Sequence, residues 1–145
     1  MSVRATWSGL RSLHNRISAS LERALQREFH FGMSEFTALG ALHESPGGEL
    51  RMQELTEVVG LNQSSVSRLV ARLEQSGLTT REVCETDRRG VYSCITPAGR
   101  RVYRDAAPFY EETLASIFDE VASDPDLGPL LGRVRSPLPD VVPDG

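Results

Sequence analysis

Leu61-Asn62-Gln63-Ser64-Ser65-Val66-Ser67-Arg68-Leu69-Val70 decides the fold of this chain. Wound as a helix, it places Val66, Leu69, Val70 and the later Leu73 on one face, and Gln63, Ser64, Ser67, Arg68 and Arg72 on the other. Asn62 stands where a helix needs a side-chain acceptor for its first unbonded N–H groups. Just upstream, Met52, Leu55, Val58 and Val59 make a short helix that Gly60 ends in a left-handed conformation. Two helices joined at a glycine turn form a helix-turn-helix outline. Downstream, Asp87-Arg88-Arg89-Gly90 separates two runs rich in strand-forming residues, Leu78 to Glu85 and Val91 to Ile95. That pattern predicts a β-hairpin with a basic tip.

Working outward, Trp7, Leu10, His14, Ile17, Leu21 and Leu25 recur at helical spacing and predict an amphipathic first helix from about Val3 to Glu28. Phe29, Phe31 and Gly32 interrupt it. Ser34 is the expected cap of a second helix, which Ser45-Pro46-Gly47-Gly48 ends. Past the hairpin, Thr96-Pro97 reads as an N-cap followed by proline in the first helical position. The helix it opens runs to about Ala122, with Pro108 inside it, and Asp124-Pro125 starts a last short helix to about Arg135. The expected fold is mainly α with a small β wing: a winged helix-turn-helix with N- and C-terminal dimerisation helices. The expected division is 1–30 N-terminal dimerisation helix, 31–96 winged helix-turn-helix, 97–135 C-terminal dimerisation helices and 136–145 proline-rich flexible tail. The end helices carry more apolar surface than a lone domain of this size needs, so a homodimer is expected, with two reading helices set about one DNA turn apart over an inverted repeat.

The chain has 145 residues and 39% hydrophobic content, which suits one domain with a modest core. No apolar run approaches the ~20 residues that span a bilayer. The first residues lack the apolar block of a signal peptide. A cytoplasmic protein without a membrane partner is therefore expected. All 16 basic residues are arginine, and the net charge is −4. Its distribution matters more than its sum. From Asn62 to Arg104 eight arginines outnumber four acids, so this block carries +4 and the remainder −8. A basic block inside an acidic chain is the electrostatic footprint of a nucleic-acid binder.

The exposed face of the Asn62-capped helix has the chemistry of major-groove reading. Short side chains let the helix approach, Gln pairs bidentately with adenine, Arg with guanine, and Ser with either bases or phosphate. Gln63, Ser64, Ser67 and Arg68 are the expected base contacts. Asn62 and Ser65 belong to the helix start, with Ser65 also a phosphate candidate, and Arg72 is an expected phosphate contact. At the wing tip, Arg88 or Arg89 suits a narrow minor groove, with Asp87 orienting one of them. Arg81, Arg100 and Arg101 are weaker phosphate candidates. The expected partner is double-stranded DNA.

These elements resemble the MarR family of bacterial transcriptional regulators. The likeness rests on Leu55-Thr56, on Leu61 through Val70, on Leu73-Glu74-Gln75-Ser76-Gly77-Leu78, on Asp87-Arg88-Arg89-Gly90 and on Ile95-Thr96-Pro97-Ala98-Gly99. It implies a homodimer built by the first and last helices, a palindromic operator, usually repression, and often release by a small aromatic or phenolic effector. Two features depart from the family's pattern: the C-terminal part is short and proline-rich, and Val83-Cys84-Glu85-Thr86 brings no extra basic residues before the wing tip.

An effector pocket is expected between the first helix, the second helix and the base of the fifth, lined by Trp7, His14, Phe31, Met33 and Phe36. Cys84 and Cys94 lie on the two hairpin strands, and folding about Arg88-Arg89 sets them nearly opposite, which makes them redox candidates. The bland reading is two small thiols in a reducing cytosol. His14, His30 and His43 lack metal-ligand spacing, so neither a metal nor a cofactor is expected. Ser64 and Ser67 have no adjacent base, and the chain has no phosphate loop or nucleophile elbow, so an enzyme is not expected. The competing reading is a winged-helix module for protein contacts with weak or no specific DNA binding.

Overall fold

The computed structural model describes residues 2–83 and 90–136. The elements run α1 (Val3–Phe29), α2 (Met33–Glu44), β1 (Glu49–Arg51), α3 (Met52–Val59), α4 (Gln63–Gln75), β2 (Thr79–Val83), β3 (Val91–Ile95), α5 (Pro97–Ala122) and α6 (Leu127–Arg135). The mainly helical fold with a small sheet is the winged helix-turn-helix expected. By contacts the chain divides into two units: one takes in the chain up to Leu21 and from Glu112 onward, the other Glu22–Glu111.

The second unit holds the reading machinery. Its α1 end is set by His30, whose left-handed φ of 61° stops the helix while its N–H still bonds Gln26 O at 3.1 Å. The start of α2 corrects one expectation. Ser34 lies inside the helix, and Gly32 is the N-cap. Two carboxylates supply what a glycine side chain cannot: Glu35 Oε2 accepts the Gly32 N–H at 3.1 Å, and Glu22 Oε2 accepts the Met33 N–H at 2.9 Å.

Between α2 and α3 lies a strand that periodicity did not reveal. β1 pairs antiparallel with β3 (Glu49↔Cys94, Leu50↔Ser93, Arg51↔Tyr92), so the sheet order is β1-β3-β2. β2 and β3 form the expected hairpin, with Thr79↔Ile95 and Val83↔Val91 at its ends. Gly60 ends α3 at φ 74°, a conformation that a glycine adopts without steric cost. Asn62 caps α4 as expected, its Oδ1 accepting the Ser65 N–H at 2.8 Å. Val66, Leu69, Val70 and Leu73 are all buried, packing α4 against α2, α3 and β2. Thr96 Oγ1 accepts the Gly99 N–H at 3.0 Å and donates to Gly77 O at 2.7 Å, tying the start of α5 to the end of α4.

The first unit buries Leu13, Leu21, Ile117, Val121 and Leu131. Arg16 pairs with Asp124, and the Arg135 guanidinium lies 5.2 Å from the centre of the Phe118 ring. Asp124 Oδ1 accepts the N–H groups of Leu127 and Asp126, so α6 begins at Leu127 and not at Asp124. Those backbone bonds, with Arg16 beside them, hold the Asp124 carboxyl below the usual range. Along the apolar face expected on α1, Leu21 and Leu25 are buried. Trp7, Leu10 and His14 are exposed, and it is Leu13 that is buried in the first half of the helix. Helical spacing identifies an apolar face, but not what covers it.

Candidate nucleic-acid interface

Because one side of α4 is buried, the helix presents the other as a fixed row. Gln63, Ser64, Ser67, Arg68 and Arg72 are exposed, and Ser65 is half-buried. A groove lies along each edge of this row. The first, of about 730 Å³, is walled by Arg51, Met52, Gln53 and Thr56 from β1 and α3, Gln63 and Ser67 from α4, and Arg81, Gly90 and Val91 from the wing side. The second, of about 390 Å³, is lined by Glu22, Gln26, Ser34, Glu35, Leu61, Ser65, Arg68, Leu69 and Arg72. Short polar groups thus occupy the middle of the face, and arginines stand at both edges.

Each edge arginine has a partner that aims it. Arg68 Nη2 reaches Ser65 Oγ at 3.4 Å. Arg72 donates from Nε and Nη2 to Glu35 Oε1, at 3.2 and 3.0 Å. Glu35 is buried and also holds Gly32 N–H, so one carboxylate ties the start of α2 to the reading helix. Arg81 Nε donates to Glu74 Oε1 at 2.7 Å, and Arg100 Nη1 lies 3.3 Å from His43 Nδ1. Asp87, Arg88 and Arg89, expected at the wing tip, lie outside the described residues, as does Cys84.

Arg51 was not expected in this interface. It lies upstream of the basic block and inside a strand that only its pairing with β3 reveals. No local pattern marks it; its place follows from the register Arg51↔Tyr92.

The residues expected to line an effector pocket divide between the two units, with Trp7 and His14 in one and Phe31, Met33 and Phe36 in the other. Phe31 stacks on Phe29, centroids 5.6 Å apart, and lines a cavity of about 480 Å³ with Phe29, His30, Glu35, Arg72, Leu73, Gln75, Ser76, Leu78 and Val102. Phe36 faces a different groove, beside Tyr103, and stacks on Tyr110 with centroids 4.2 Å apart. Burial pushes the phenols of Tyr103 and Tyr110 up.

The expected cysteine pairing is not met. In the β2–β3 register the residue opposite Cys94 is Thr80. This register differs by four positions from one that would set Cys84 opposite Cys94. Cys94 instead donates to Glu49 Oε2 at 3.6 Å. Glu49, Glu82 and Cys94 bring one donor atom each within 4.8 Å of one another, close enough to hold a cation, a grouping across three strands that sequence spacing could not disclose. Burial, then Glu82 and Glu49, pushes the Cys94 thiol from 9.0 to about 11. At neutral pH almost none of it is thiolate, the form that reacts. In a Cys84→Ser variant, alkylation of Cys94 at pH 7.5 is expected to run on the order of 100-fold slower in native protein than in urea-unfolded chain. Equal rates would remove Cys94 from its acidic surroundings.

Residues 31–90 match the model of the MarR family. A MarR family transcriptional regulator from Streptomyces coelicolor, solved in complex with DNA, is 31% identical, covering 90% of this chain and 81% of its own, with a TM-score of 0.76. AbsC, a MarR family transcriptional regulator from the same organism, is 27% identical over 93% of this chain and 92% of its own, also at 0.76. BpsR of Bordetella bronchiseptica, whose DNA binding is regulated by 6-hydroxynicotinic acid, is 22% identical, covers 92% of this chain and 89% of its own with a TM-score of 0.71, and shares the fold. Among the described residues no helix is long and apolar enough to cross a membrane.

Proposed function

This chain belongs to the MarR family of transcriptional regulators, and on that premise we propose that it is a cytoplasmic repressor that binds a palindromic operator as a homodimer and is released by a small aromatic effector. The observation that carries this reading is the face of α4: Gln63, Ser64, Ser67 and Arg68 stand exposed on a helix whose opposite side is fully buried and whose start is fixed by Asn62. In a major groove ~12 Å wide, such a face meets base edges with these four side chains and a sugar-phosphate strand with Arg72 beyond them. Arg72, paired with Glu35, stays exposed enough to meet phosphate. Ser65 serves the helix start, and Arg88 or Arg89, with Asp87, is assigned to the minor groove from sequence.

The working division is 1–30 and 97–135 for dimerisation, 31–96 for DNA, and 136–145 as a tail. Exposed Val3, Trp7, Leu10 and Val134 support the first part, since a second copy is a natural cover for apolar side chains at helix surfaces. For the effector, the aromatic cavity around Phe29 and Phe31 fits better than the wider set expected from sequence. Its walls include Arg72 and Leu73 of α4, so a ligand there bears directly on the reading helix.

Nuclease footprinting of the promoter of the protein's own gene tests this reading. Protection of an inverted repeat with half-sites ~34–36 Å apart is expected, and protection without dyad symmetry would contradict the dimer. Replacing Arg88 and Arg89 together by alanine is expected to weaken binding to all sequences and to lower the salt slope by roughly two to four, since the homodimer loses both arginines in each half-site. An unchanged slope would take the wing arginines out of the phosphate interface.

A further inference from the structure

The geometry points to Arg51 as a DNA-phosphate contact of this interface, held in position by Tyr92; the inference rests on the reading of the chain as a DNA-binding regulator. Arg51 stands where β1 ends and α3 begins, and its side chain is exposed. Its Nε donates to Tyr92 Oη at 3.0 Å, and its guanidinium carbon lies 5.6 Å from the centre of the Tyr92 ring. The β1–β3 register sets the two residues opposite each other on the solvent face of the sheet, so the contact is built into strand pairing. A phenol orients a guanidinium by hydrogen bond and by ring face.

The location decides the ligand. Arg51 lines the groove of about 730 Å³ that runs along the Gln63 and Ser67 edge of α4, with Gln53 and Thr56 beside it on α3. With α4 in a major groove, a residue across that gap from Gln63 lies over the sugar-phosphate strand and not over base edges. An arginine aimed beforehand loses less side-chain freedom on binding than a loose one. Arg51 therefore contributes affinity and register but no sequence preference, and Tyr92 is a positioning residue that acts only through it.

The test is a double-mutant cycle on the full chain, with labelled operator DNA and unrelated DNA at several salt concentrations. Arg51→Ala is expected to weaken both DNAs by a similar factor and to lower the slope of log affinity against log salt by about two, one contact being lost in each half-site of the bound homodimer. Arg51→Lys is expected to restore most of that slope. Tyr92→Phe, which removes one hydroxyl, is expected to weaken binding roughly twofold to tenfold. The double variant Arg51→Ala, Tyr92→Phe is expected to match Arg51→Ala alone, because Tyr92 has nothing left to position. Thermal melting at equal protein concentration checks that each variant folds, and Arg51→Gln replaces Arg51→Ala if the latter does not. An unchanged salt slope on removing the charge, with wild type still binding, overturns the Arg51 contact while leaving the functional reading intact. Additive losses in the double variant overturn the positioning role. Failure of the wild type to bind any DNA overturns the functional reading and this inference together.

Discussion

Leu69→Ala removes about 2–5 kcal/mol of folding stability, the range for emptying a packed leucine site. Leu69 is fully buried at the centre of the α4 inner face, between Val66, Val70 and Leu73, where α2, α3 and β2 meet. The loss has two parts: methyl groups that no longer leave water, and a cavity that helices pinned by Asn62 and Thr96 cannot close by moving. Against a typical total of ~5–15 kcal/mol, a loss of this size unfolds a large share of the molecules under mild stress. Ser67→Ala, two residues away on the exposed face, is expected to stay within about 0.5 kcal/mol of wild type. Urea titration at fixed protein concentration separates the two. A midpoint for Leu69→Ala equal to that of Ser67→Ala would mean that α4 does not pack as described.

The second large effect is on binding. Arg68→Ala is expected to cost ~1–3 kcal/mol of operator affinity, or roughly 5- to 150-fold, and to relax preference at one base pair in each half-site. Arg68 is exposed on the reading face, and its contact with Ser65 Oγ, one turn back, steadies it. Arg68→Lys distinguishes the two ways an arginine can act here. A lysine keeps the charge but loses the planar fork, so base preference stays relaxed while the salt slope recovers. Selection from a randomised half-site library reads both quantities. Full preference retained by Arg68→Lys would reassign the residue from base to phosphate.

Local chemistry was legible in the sequence, and long-range pairing was not. The α4 periodicity, the Asn62 cap, the Gly60 turn and the Thr96-Pro97 start each depend on residues within four positions, and each holds in the structure. β1 escaped because three residues are too few to show alternation and are recognisable only by their pairing with β3. Ser34 looked like a cap by type, yet Gly32 served because Glu22, 11 residues from Met33, supplied an acceptor. The Glu35–Arg72 pair joins residues 37 apart, and Arg51 reaches Tyr92 across 41. The hairpin register needed the end points of both strands, and without them Cys94 was placed opposite the wrong partner. The exposed α4 face was foreseeable; the grooves on either side of it were not, because each is assembled from elements far apart in the chain.

Fluorescence anisotropy with DNA from directly upstream of the protein's own gene, with unrelated DNA as competitor and across a salt series, tests the central claim most directly. A sequence-reading repressor binds tightly, resists the competitor, and loses affinity steeply as salt rises, as an interface of several arginine–phosphate contacts requires. Weak binding, equal on both DNAs, would contradict it and would favour a winged helix turned to protein contacts.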